Sequence, residues 1–217
     1  MRFPNAYKGV KKLFITEIIS VIVAFLMMVA SVLLALGKNN DALLAAGGAI
    51  ALAGGIALIV VFIIQIVALY QGGKDEIRIK YAFFLTIFAI VLSLISSIFT
   101  SIKSVPVLVD IGGYINTLIK VVELVALEYT LIGIAVLMDK LGNSSLANRG
   151  RSLATAVLIL FIVSILMNLY ANIMDSNAYE WVKITLTIAA IVAGIAELVV
   201  YVLTLVYYGR ATKELKQ

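Results

Sequence analysis

The chain has 217 residues, 63% of them hydrophobic and 13% charged, with a net charge of +5. Soluble domains carry roughly 45–50% apolar and about 25% charged residues, so lipid must be the solvent for much of this chain. It has no cysteine and no histidine, which excludes disulfides, thiolate chemistry, the usual proton relay and the commonest zinc ligand.

Six apolar stretches are long enough to cross a bilayer, for which about 20 residues suffice. They are predicted at about 13–36, 43–70, 81–102, 112–138, 152–174 and 181–208, in one transmembrane domain spanning 1–217. Before the first stretch, Phe3-Pro4-Asn5 predicts a helix cap at Asn5, with Ala6–Lys12 as a basic helical turn at the interface. Leu13–Leu36 is too long for the hydrophobic part of a signal peptide and lacks a small-residue cleavage site. Glu17 lies about one turn beyond Lys12 and is expected to snorkel to the interface. Gly37 is read as stopping the first helix and Asp41 as capping the second.

The second stretch is rich in small residues. Gly47, Ala51 and Gly55 recur at every fourth position, as do Ala45, Ala49, Ala53 and Ala57. Such stripes let helix backbones approach closely in lipid. They imply packing against neighbouring helices, with Ala189, Ala190, Ala193 and Gly194 of the sixth stretch as the facing surface, or a seam between two copies of the chain. Gln71-Gly72-Gly73 closes this span, Gly142-Asn143-Ser144 closes the fourth, and Ser176-Asn177 turns the chain between the last two. Tyr179 and Trp181 suit the headgroup layer.

The basic residues fix an orientation. Thirteen lie before the first stretch, between the second and third, between the fourth and fifth, and after the sixth, whereas the other gaps hold only Lys38, Lys103 and Lys183. Cytoplasmic loops retain positive charge, so both termini are expected in the cytoplasm. The same layout gives a period of about 70 residues, with units beginning near Gly9, Asp75 and Asn148. Three parallel hairpin repeats would produce it, and so would any even number of spans obeying the charge rule.

The opening FPNAYKGVKKLFITEI and the later DKLGN resemble segments of uncharacterised bacterial multi-span membrane proteins. The resemblance covers only these short stretches and implies no activity. The expected location is a cell membrane, that of the bacterial cytoplasm.

Four ionisable residues fall well inside spans: Lys120, Glu123 and Glu128 in the fourth, and Glu197 in the sixth. Each costs about 2.5–3.5 kcal/mol at a helix centre even on the lenient insertion scale, so each requires a partner or water. Lys120 and Glu123 lie about 60° apart on one helix face, which suits an ion pair. Glu128 and Glu197 stand 10 and 11 residues from the inner span ends at Met138 and Tyr208, a matched depth in equivalent hairpins. They are expected to face one cavity, sharing a proton or holding a cationic solute. The alternative is structural, with each acid bonded to hydroxyls or amides such as Tyr201, Thr130, Asn168 or Asn172 on neighbouring helices.

Clustered mid-membrane charge favours a small-solute or ion transporter or binding protein. The competing reading is a non-catalytic scaffold or regulatory subunit acting through helix contacts. No nucleophile–base pair, paired intramembrane aspartates or metal cluster is in view, so no catalysis, cofactor or metal is expected. The partners implied are the lipid bilayer and either a second copy or another membrane protein. The basic flanks are explained by topology and anionic lipid and give no reason to invoke nucleic acid.

Overall fold

The computed structural model describes residues 2–102, 105–173 and 180–216. All the long elements are helices: α1 Pro4–Leu36, α2 Asp41–Gly72, α3 Ile77–Ser101, α4 Pro106–Lys140, α5 Ser144–Ile173 and α6 Glu180–Lys216. Each contains a segment long and apolar enough to cross a membrane, which fits a multi-pass integral membrane protein in contact with lipid. Both prolines stand at a helix start, where the missing N–H would have had no partner anyway. The expected turn at Ser176-Asn177, and Tyr179 beside it, lie outside the described residues.

Neighbours in the chain pack side by side, and α6 returns against α1, so the six helices close into a ring. Both ends of the described chain sit at one end of this ring, here termed the basic end. A buried cluster there draws on every helix, among them Val10, Leu69, Ile79, Leu137, Leu153 and Tyr208.

Polar contacts at the basic end tie the loops to the helix termini. Helix α1 begins at Pro4, so Asn5 lies inside its first turn instead of capping it. The cap comes from the α2–α3 loop: Asp75 Oδ2 accepts the backbone N–H groups of Asn5 and Ala6 at 2.8 Å each, and Asp75 Oδ1 accepts the Asn5 side-chain amide at 2.9 Å. A carboxylate suits a helix N-terminus because the free N–H groups and the helix dipole both favour negative charge there. Next to it, Glu76 is only 4% exposed and pairs with Lys140 at 2.7 Å. Arg2 donates to the Lys140 carbonyl, and Arg151 pairs with Asp139.

The other turns follow the sequence with one change of residue. Gly142 takes a positive φ of 84° after α4. The Asn143 N–H then bonds to the Met138 carbonyl and the Gly142 N–H to the Asp139 carbonyl, the paired closure of a glycine-terminated helix. Asn143 Oδ1 in turn accepts the Leu146 N–H to open α5. In the α1–α2 turn the cap is Asn40, not Asp41: its side-chain oxygen accepts the N–H groups of Ala42 and Leu43, and Asp41 falls in the first turn.

The first two hairpins share a packing rule. Buried positions recur every seventh residue: Gly9, Thr16, Val23 and Ala30 in α1, and Gly47, Gly54, Val61 and Ala68 in α2. Ala82, Ala89 and Ser96 repeat this in α3, and Gly112, Ile119, Ala126 and Gly133 in α4. A seven-residue repeat keeps one stripe of each of two slightly crossed helices in mutual contact. Ser96 Oγ lies 2.9 Å from the Gly112 carbonyl and 2.8 Å from Asn116 Oδ1, a polar clasp within the α3–α4 seam.

Gly47 therefore lies in the α1–α2 seam, but Ala51 is only half-buried and a Cβ at Gly55 would meet nothing within 4 Å. The period of seven, not four, selects the contact face. Helix α2 packs on α1 and α3, and not on the small residues of α6, where Gly194 also faces open space.

Candidate functional site

Between α1, α4, α5 and α6 lies a cavity of about 300 Å³. Thr16 is buried in the α1–α2 seam, and the next residue on the helix, Glu17, turns toward α6. Tyr201 of α6 donates its hydroxyl to Glu17 Oε2 at 2.8 Å, with the Glu17 carbonyl 3.1 Å away. From α2, Gln65 Nε2 donates to Glu17 Oε1 at 3.3 Å. One carboxylate is thus held by donors from two other helices.

Glu197 lies one helical turn before Tyr201 on the same wall. Ser164 of α5 donates to Glu197 Oε1 at 3.0 Å. The remaining walls are largely apolar, with Leu124 and Leu127 from α4, Val157, Leu160 and Phe161 from α5, and Val200 from α6. Among the described residues no lysine or arginine lines the cavity. The arrangement offers two acids and their hydroxyl donors to whatever enters, over an apolar floor. Such a surface complements a positive charge attached to an apolar body. Among the described residues no three acids converge closely enough to hold a metal ion.

The acids singled out from sequence are thus divided. Glu197 lines the cavity, but Glu128 does not; α4 presents the adjacent Leu127 and Leu124 instead. Glu128 is half-buried, and among the described residues no hydrogen bond or ion pair reaches it. Lys120 and Glu123 are both exposed and do not form the expected ion pair, since the two ion pairs among the described residues lie at the basic end. The cause is geometric: α4 turns its buried face, at Ile119, Val122 and Ala126, toward its neighbours, and these charges fall off that face. Asn168 and Asn172, named as partners for the acids, have side chains outside the described set.

Glu17 is the residue that sequence reasoning discounted. Its nearness to Lys12 suggested an escape to the interface, yet its side chain points into the bundle. A usable signal was Gln65, the lone amide in the apolar body of the second span, which an antiparallel hairpin sets opposite Glu17. Compared with models of protein families, with curated proteins and with solved structures, the chain matches none of them.

Proposed function

We propose that the chain binds, and carries across the membrane, a small organic cation with an apolar body. The observation that carries this reading is the pair Glu17 and Glu197 lining one cavity, with no basic residue among the described residues of its wall. Carboxylates at this depth of a span call for a compensating positive charge, which the solute would supply. The basic end is assigned to the cytoplasm on the asymmetry of the lysines and arginines. Reporter fusions at Asn40 should then read outside and at Ser145 inside; the reverse result would invert the carrier.

The test uses the purified chain in nanodiscs and benzyltrimethylammonium, whose fixed charge does not vary with pH. Saturable binding is expected, weakened at least tenfold by Glu17→Gln and by Glu197→Gln, because glutamine keeps the hydrogen-bonding shape but cannot ionise. Glu128→Gln should bind as the parent does. If Glu128→Gln alone removes binding, the site belongs to α4. If the parent binds no cation while remaining folded, the carrier reading fails and a scaffold acting through helix contacts takes its place.

A further inference from the structure

On the other side of the α5–α6 pair, a groove of about 570 Å³ opens on the surface of the bundle. Its apolar stretch is formed by Leu153 and Ala156 of α5 and by Val200, Leu203, Val206 and Tyr207 of α6. At the basic end it runs to Arg149 and Arg210, which also line a second, more polar pocket with Lys213 and Glu214. We infer that the groove and this pocket form one binding site for a phospholipid with a net negative headgroup.

Charge complementarity identifies the occupant. Three basic residues face one acid, Glu214, so the headgroup pocket keeps an excess of positive charge. Neighbouring basic residues are already engaged, Arg151 by Asp139 and Lys140 by Glu76, whereas Arg149 and Arg210 take part in neither of these pairs. A guanidinium with free donors matches a phosphate in geometry and charge. Length identifies the lipid. From Arg210 to Val200, and from Leu146 to Ala156, the walls run ten residues, or about 15 Å of helix. That is about half of a hydrocarbon core roughly 30 Å thick, so an acyl chain in the groove would end near the bilayer midplane. A basic pocket at headgroup depth with an apolar track one leaflet long is what an anionic lipid requires.

The experiment is native mass spectrometry of the full chain in detergent, titrated with phosphatidylglycerol or phosphatidylcholine, with melting temperatures recorded in parallel. The parent should bind phosphatidylglycerol at least tenfold more tightly. The double variant Arg149→Gln/Arg210→Gln should lose that preference while keeping its melting temperature in detergent alone. Lys8→Gln/Lys11→Gln, which removes equal charge from the same end, should retain it. Ala156→Trp, which fills the groove and leaves the arginines intact, should weaken phosphatidylglycerol binding at least threefold, and it keeps the idea testable should the arginine variant fail to fold. An equal loss in the lysine variant would reduce the effect to net charge and overturn the site. So would competition by glycerol 3-phosphate as effective as that of the whole lipid, since the groove would then contribute nothing.

Discussion

In the hairpins α1–α2 and α3–α4, helices meet along mostly small residues spaced seven apart; in α5–α6, burial among the described residues is confined to the basic end. There, Gly150 lies against Tyr207, and Leu153 and Ala154 share a buried cluster with Tyr207 and Ala211. Further from that end the described part of α6 is turned outward, with Ile188, Ile191, Val192, Ile195 and Leu198 all more than half exposed. Exposed apolar helix is tolerated when lipid is the solvent, so the third hairpin needs no continuous seam to exist. What it gains is space. The cavity on one side and the surface groove on the other both border α5 and α6, and a glycine-lined contact at these positions would leave less room for either. Tight backbone contact and room for a ligand are alternatives along the same pair of helices.

The comparison breaks most readily at Gly9. A Cβ there would lie 2.5 Å from the Ala68 carbonyl oxygen and 2.8 Å from the Gly72 nitrogen, both backbone atoms that cannot swing aside. Gly9→Ala should therefore lower stability by about 1–3 kcal/mol, read as denaturant or thermal unfolding in detergent. Gly54→Ala, in the same seam, meets the flexible end of Met27 at 2.6 Å and should lose less. Gly55→Ala and Gly194→Ala face open space and should lose nothing. Equal losses at all four glycines would dissolve the distinction between seam and open hairpin.

Next in size is Asp75→Ala, which strips three hydrogen bonds from the start of α1. A loss of about 0.5–2 kcal/mol is expected, with faster amide exchange confined to the first turn of α1. Unchanged exchange there would show that packing alone holds the turn. The smallest measurable loss is expected for Ser96→Ala in the α3–α4 seam. Polar contacts between membrane helices average about 0.6 kcal/mol, so the variant should melt only slightly below the parent. A loss several times larger would mean that the clasp, not the small-residue stripe, sets this hairpin.

The number and kind of elements were legible in the sequence because hydropathy over a span of about 20 residues averages out local detail. Turns carried by a residue with one conformational role were legible too, as Gly142 shows. The face each helix presents was not. In α2 the run from Ala45 to Ala57 contains small residues at so many positions that periods of four and seven both fit, and only the partner helix selects between them. In a soluble bundle the polar face would have broken the tie, but the lipid-facing side of α2 is as apolar as its seam. The candidate site suffered from the same blindness. Depth placed Glu128 and Glu197 at the same level, but depth does not give the angle about the helix axis, and it is the angle that puts Leu127 at the cavity and Glu128 beside it.

The contact between Asp75 and the first turn of α1 also bears on how the protein is made. The carboxylate that completes the turn lies 70 residues downstream of Asn5. At a synthesis rate of about 5–20 residues per second, those residues take roughly 4 to 14 seconds to appear. Throughout that interval the N–H groups of Asn5 and Ala6 must be satisfied by water or by lipid headgroups. The first helix thus enters the membrane with an unfinished end, and the first hairpin is sealed only by the loop that begins the second.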